Sequence, residues 1–290
     1  MPTNENWTVT GLAAPNADAQ QRICFIGGGN MARSLIGGLL RAGMAAARID
    51  VAEPNAQLRS TLAHDFGVGV HTLGADAARN ADAIVLAVKP QVMKNVCTEL
   101  RGVVQQRKPL IVSIAAGMRL DQIDAWLGGG IAIVRCMPNT PALIGAGASG
   151  LCANAKAQAS ERKMAQNILD AAGVSVWIDD EALMDTVTAL SGSGPAYFFL
   201  LVEALEDAAV AQGLPRMAAR TLATQTCFGA GRMLREDGAP PTLLRQRVTS
   251  PNGTTEAELE SFVADRLPEI VARAVAAATK RGVELSAQLD

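Results

Sequence analysis

Aromatic residues are scarce, at 3% of the 290-residue chain, and histidine occurs only at His64 and His71. A core so poor in Phe, Tyr and Trp must rest on Ala, Val, Ile, Leu and Met, which suits buried parallel strands and close-packed helices. The five cysteines, Cys24, Cys97, Cys136, Cys152 and Cys227, form no C-x-x-C pair and have no His at zinc-type spacing. No metal site is therefore expected, and the thiols read as reduced, in a cytoplasmic protein. Nor is there an excess of one charge: the net value is -2, with both signs scattered. Without a basic stripe, neither nucleic acid nor an anionic membrane is expected as a partner. Residues 1–20 lack a basic start and an apolar run, so the expectation is a disordered tail rather than a signal peptide or anchor.

What is present is 49% hydrophobic residues over a length that accommodates about two domains. Residues 22–27 read as a short apolar strand ending in glycines, followed by a helical pattern over 31–42 that stops at Gly43. Further strands are expected at 49–53, 68–70, 82–88, 110–114 and 131–137, with helical stretches between them, among them 55–66. That alternation predicts a parallel sheet of the α/β class. From about Glu181 strands give way to Ala-rich helical segments, punctuated by Leu214-Pro215, by residues 238–241 and by Leu267-Pro268. The expected organisation is a Rossmann-type domain over 21–180 and an all-helical domain over 181–290. The first long helix of the latter is expected to open at Ser193-Gly194-Pro195, proline being tolerated in a first turn. Its continuation through Ala211 is apolar on most faces apart from Glu203, Glu206 and Asp207, which predicts packing against a second subunit.

Gly27-Gly28-Gly29-Asn30-Met31-Ala32 fits G-x-G-x-x-A, straight after the first strand and at the start of a helix. The first glycine makes the turn, the second lets the backbone approach phosphate, and Ala32 keeps the helix near the sheet. With Ile26 at the strand end, this loop is the expected seat of a dinucleotide pyrophosphate, received by the free N–H groups of the helix N-terminus. Glu53 ends the second strand, where a carboxylate accepts bonds from an adenosine ribose diol and repels a 2′-phosphate. Asn55, Gln57 and Arg59 follow at once and suit a phosphate, so NADP and NAD both stay open. A plainer role for Glu53, as a cap of the following helix, also stays open.

Four more segments sharpen the reading: Ala87-Val88-Lys89-Pro90-Gln91, Met137-Pro138-Asn139-Thr140-Pro141, Ser191-Gly192-Ser193-Gly194-Pro195-Ala196-Tyr197, and Val248-Thr249-Ser250-Pro251-Asn252-Gly253-Thr254-Thr255. In this order, together with the glycine loop, they resemble the pyrroline-5-carboxylate reductases over residues 22–281. The resemblance implies NAD(P)H-dependent reduction of the cyclic imine 1-pyrroline-5-carboxylate to proline, with NADPH as coenzyme and NADH as the alternative. It implies that Ala87, Val88, Lys89 and Pro90 lie beside the nicotinamide ribose and that Pro138 and Asn139 wall the nicotinamide ring. It further implies a substrate loop in which Ser250, Gly253, Thr254 and Thr255 bind the substrate, backbone N–H groups taking its carboxylate and the Thr255 hydroxyl facing the ring nitrogen as the catalytic group. A homodimer through the helical domain is implied as well, with a larger homo-oligomer left open.

Two positions depart from the family pattern: Asn252 stands where a second glycine is common, and Gly74 where an adenosine-contacting Asn is common. Asparagine tolerates left-handed backbone, so the turn at Asn252 is expected to survive. The iminium is already a good hydride acceptor, so no strong acid is required, and neither histidine is expected to be catalytic. A β-hydroxyacid dehydrogenase is the nearest enzymatic alternative, but it needs a lysine base on its interdomain helix, and no lysine occurs between Lys163 and Lys280. A related imine reductase, or a non-catalytic dinucleotide-binding regulator, completes the alternatives; the regulator leaves the loop at 250–255 without a role.

Overall fold

The computed structural model describes residues 21–288; the tail expected at 1–20 lies outside them. The chain forms two compact units: one runs to Gly192 and takes up the chain again at Arg281, and the other is Ser193–Lys280.

The first unit is built on eight strands: β1 (Ile23–Ile26), β2 (Ile49–Ala52), β3 (Gly69–His71), β4 (Ala83–Leu86), β5 (Leu110–Ser113), β6 (Ile133–Met137), β7 (Gly147–Ala153) and β8 (Gly173–Trp177). Their order across the sheet is β3-β2-β1-β4-β5-β6-β7-β8. β1, β4 and β5 are buried along their whole length, because helices cover both faces and leave no solvent side. Alternate residues serve opposite layers, as the two-residue period of a strand requires. Ile23, Phe25, Val85 and Val112 pack with Leu35, Ile36 and Leu39 of α1 (Asn30–Arg41), Leu62 of α2 (Ala56–Phe66) and Ile168 of α6 (Ala159–Asp170). Cys24, Ile26, Ile84 and Ile111 pack the other way, on α3 (Gly74–Ala78), α4 (Pro90–Arg107) and α5 (Leu120–Leu127) through Ala77, Met93, Leu100 and Ile123.

The sheet is parallel except at one seam, where β6 and β7 run antiparallel. The parallel sheet expected from the alternation of strands and helices is thus present, with this one antiparallel pair added to it. Only residues 138–146 join β6 to β7, and a parallel return needs a crossover of a dozen residues or more. Neither β7 nor β8 is among the strands expected from the sequence: β7, with the sequence GASGLCA, carries little of the β-branched signal that marks a strand, whereas β8, GVSVW, carries it in Val174 and Val176 but over only five residues.

Residues 181–192 continue the first unit through a short 3-10 turn (Glu181–Leu183), α7 (Met184–Val187) and one π-helical turn (Thr188–Gly192). The second unit is helical: α8 (Gly194–Ala211), α9 (Arg216–Glu236), α10 (Pro241–Arg247), α11 (Thr254–Ala264) and the greater part of α12 (Leu267–Ala287). α8 opens as expected, with its proline in the first turn. Its interior acid Glu206 is buried, accepting bonds from Arg216 and Arg220 of α9, while Asp207 pairs with Arg216. Tyr197, Phe198, Phe199, Leu200 and Leu201 on α8 are exposed within the single chain, Phe199 at 68%. No helix among the described residues is long and apolar enough to cross a membrane.

Candidate coenzyme site and substrate loop

The strand order reverses between β1 and β4, so their carboxyl ends border the crevice in which open α/β sheets hold ligands. Gly27 follows β1 with φ of 100°, a conformation hostile to a Cβ, and its N–H donates to the Ala52 carbonyl at 2.8 Å. A Cβ on Gly27 would sit 2.5 Å from the Ala87 carbonyl oxygen and 3.2 Å from Cγ1 of Val88. The fold thus brings the glycine loop against Ala87 and Val88, two residues assigned from a separate segment. Gly28 is equally confined, by Leu62 and the Glu53 stem, whereas a Cβ on Gly29 would meet nothing within 4 Å. Gly29 is the N-cap of α1, which has no side-chain cap and no acid in its first turn. Tight packing below, open space above and uncapped N–H groups suit a pyrophosphate.

Of the two readings of Glu53, the helix cap does not hold. The cap of α2 is Asn55, whose Oδ1 accepts from the Leu58 N–H at 3.0 Å. Glu53 is buried instead, its Oε2 accepting from the Gly28 N–H at 2.9 Å and its Oε1 from the Asn55 N–H at 2.9 Å. It ties the end of β2 to Gly28, the middle residue of the three glycines. Gly74, the position that departs from the family pattern, opens α3.

Lys89 is exposed and forms the N-cap of α4, with Pro90 in the first turn and no side-chain cap. Pro138 and Asn139 are buried after β6. Both polar ends of Asn139 are spent inside the protein: Nδ2 donates to the Ser191 carbonyl at 3.0 Å, and Oδ1 accepts from the Ala148 N–H at 2.9 Å. Its side chain fastens the loop after β6 to β7 and to the π-turn, so only its backbone is left to line a wall. Single π-turns are frequent at functional sites, and this one precedes Ser193 directly.

In the second unit, the Gly253 N–H closes a turn on the Ser250 carbonyl at 3.0 Å, and Asn252 adopts φ of 57°. Asparagine does take the left-handed conformation there. Glu256 steadies the turn by accepting from the Asn252 N–H at 2.7 Å. Gly253 caps α11 with no side-chain bond, which leaves the first-turn N–H groups of Thr254 and Thr255 for an anion. Gly253 itself was expected to donate to the substrate, but in this conformation its N–H is consumed by the turn. Thr255 is half-buried beside it.

His64 is largely exposed and pairs with Asp65, while His71 pairs with Asp50, which also receives Arg22. Burial pushes the thiols of Cys24 and Cys136 up, and that of Cys97 up to about 12, so none is a thiolate at neutral pH. No group of three or more His, Cys, Asp or Glu among the described residues is arranged to hold a metal ion.

Sequence reasoning missed Arg135. It is only 4% exposed on β6, with Nη1 3.0 Å from Glu181 and Nη2 3.7 Å from Asp185; Glu181 also accepts from the Leu120 N–H at 2.9 Å. The available signal was a lone arginine within the apolar strand IVRCM. This network holds the segment that leads into the π-turn.

Comparison with known proteins adds a family model described as pyrroline-5-carboxylate reductase dimerisation, matching residues 181–285, and one described as NADP oxidoreductase, coenzyme F420-dependent, matching 22–117. A pyrroline-5-carboxylate reductase of Pseudomonas aeruginosa is 50% identical over 92% of this chain and 98% of its own length. The solved structure of a pyrroline-5-carboxylate reductase from Coxiella burnetii superposes with a TM-score of 0.89 at 41% identity, covering 91% of this chain and 98% of that one. A Plasmodium falciparum pyrroline carboxylate reductase with NADP bound gives a TM-score of 0.79 at 29% identity, over 92% of this chain and 99% of that one.

Proposed function

Since the chain belongs to the pyrroline-5-carboxylate reductase family, we propose the following account of how its residues carry out the family's reaction. The chain is an NAD(P)H-dependent oxidoreductase acting on a C=N bond, and it reduces 1-pyrroline-5-carboxylate to proline, the last step of proline synthesis. Its coenzyme is NADPH, with NADH as the alternative.

The observation that carries the residue assignment is that each unit holds a helix N-terminus without a side-chain cap behind a glycine-bearing turn, α1 in the sheet unit and α11 in the helical unit. Gly29, Asn30 and Met31 receive the pyrophosphate, with Ile26, Gly27 and Gly28 beneath them, the Gly28 N–H being held by Glu53. Glu53 and Asn55 flank the adenosine ribose. Ala87, Val88, Lys89 and Pro90 follow the nicotinamide ribose, and the backbone at Pro138 and Asn139 walls the ring. Bound NADPH supplies a hydride to the imine carbon. The N–H groups of Thr254 and Thr255 hold the substrate carboxylate, on a turn that Ser250 and Gly253 close. The Thr255 hydroxyl accepts from the N–H of the protonated ring nitrogen and so orients it; hydride addition at the iminium carbon would move the C=N π pair onto nitrogen, giving the neutral ring amine, which takes its second proton from water. Holding donor and acceptor in near-attack geometry supplies on the order of 7–11 kcal/mol of barrier reduction, and no strong acid is called for.

The direct test is loss of NADPH absorbance on adding racemic pyrroline-5-carboxylate; its absence would favour a non-catalytic dinucleotide-binding regulator. Thr255→Ala is expected to lower kcat/KM about tenfold, the worth of one hydrogen bond to a charged group, with coenzyme affinity unchanged. Unchanged kcat and KM would remove Thr255 from the mechanism.

The chain is further proposed to work as a cytoplasmic homodimer. Support comes from the dimerisation model matched at 181–285, the exposed apolar residues of α8, and five free thiols, four of them buried. Light scattering is expected to give twice the chain mass, and a fully active monomer would refute the dimer.

A further inference from the structure

We infer that coenzyme choice in this chain is read at one turn by two residues acting in opposite senses, Glu53 favouring the free ribose diol of NADH and Arg59 favouring the 2′-phosphate of NADPH. The inference rests on the glycine loop being the coenzyme's seat.

Glu53 is fixed at both ends. Its own N–H donates to the His71 carbonyl at 3.0 Å, so the main chain at the end of β2 is held by β3. Its carboxylate is 8% exposed and clasped by the N–H groups of Gly28 and Asn55, each at 2.9 Å. Each oxygen accepts one of these bonds and keeps a second lone-pair direction. A ribose diol brings two hydroxyl donors to such a group, whereas a 2′-phosphate brings acceptors and up to two further negative charges. Because the carboxylate cannot swing away without giving up two backbone donors, it discriminates rather than adapts.

Arg59 sits one turn into α2 and reaches back to the same place. Its Nη1 donates to the carbonyl of Glu53 at 2.7 Å and to that of Pro54 at 2.8 Å. The guanidinium is thus docked on the main chain, not on the Glu53 carboxylate, so the two charges do not cancel. Among the described residues Arg59 makes no other hydrogen bond, and its remaining N–H groups suit the planar, multidentate capture of a phosphate. Asn55 is anchored by its Oδ1, which accepts from the Leu58 N–H, so it offers a phosphate at most its neutral Nδ2 donor and not a charge. A carboxylate for one coenzyme and a guanidinium for the other, at a single turn, accounts for a site that admits both.

The test is titration of the full-length protein with NADH and with NADPH, read as the ratio of the two dissociation constants. The ratio isolates the ribose end, because any loosening of the glycine loop affects the shared pyrophosphate equally. Glu53→Gln, which keeps one acceptor oxygen and removes the charge, is expected to shift the ratio about tenfold towards NADPH. Arg59→Gln is expected to shift it about tenfold towards NADH. Coenzyme binding with a ratio that stays within twofold of the parent in either variant, or that moves the same way in both, overturns the inference and leaves the family reading standing. A parent protein that binds neither coenzyme overturns both.

Discussion

Gly27→Ala is expected to lower kcat/KM about a hundredfold, with a matching loss of NADPH affinity, although the change adds a single methyl group. The residue holds φ at 100°, where an L side chain costs roughly 1–2 kcal/mol before any contact is counted. The added carbon would lie 2.5 Å from the Ala87 oxygen and 3.0 Å from its carbonyl carbon. That carbonyl cannot retreat easily, since the Ala87 N–H is bonded to the Ile26 carbonyl at 2.8 Å and the strands on either side are fully buried. The strain is relieved only by moving the loop, which misaligns the first-turn N–H groups of α1. Gly29→Ala provides the contrast. Its backbone has φ of -70° and its Cβ would meet nothing within 4 Å, so folding stability should be unchanged while the methyl group intrudes where the pyrophosphate approaches. Thermal unfolding together with NADPH titration separates the two. A Gly27→Ala protein that bound NADPH like the parent would break the assignment of this loop.

The contrast also marks how far the sequence could be read. The glycine loop was legible because its requirements are local: a strand, a turn needing positive φ, and a helix start lie within a dozen consecutive residues. The left-handed turn at Asn252 was legible for the same reason. The antiparallel β7 was not, because its residues are small and its direction is dictated by the shortness of the connection after β6 rather than by any residue within it. Asn139 shows a second kind of limit. Its position in the chain marked it as part of a wall, yet its side chain is consumed by partners 9 and 52 residues away, and nothing local announces either. Glu53 lies between these cases: the end of β2 was readable, but the bond to Gly28, 25 residues earlier, depends on the strand pairing that brings the two together.

Arg135→Met is expected to cost on the order of 3 kcal/mol, because it removes one partner of a buried ionic network and leaves the other two. Methionine fills much of the same volume, so the loss is one of charge compensation rather than packing. Arg135 is 4% exposed, while the side chains of Asp185 and Glu181 are 16% and 27% exposed. Partial hydration of the two carboxylates places the cost at the lower end of the range for breaking a buried pair. For a unit of this size that corresponds to a fall in Tm of about 10 °C. If unpaired carboxylates are the cause, Arg135→Met combined with Glu181→Gln and Asp185→Asn should recover more than half of the loss, because the three residues act as one network and their effects do not add. A triple variant no more stable than the single one would show that the arginine serves by its shape. The network also fixes the approach to the π-turn, whose Ser191 carbonyl receives Asn139, so the single variant should raise KM for pyrroline-5-carboxylate at temperatures well below its Tm. An unchanged KM would confine Arg135 to stability alone.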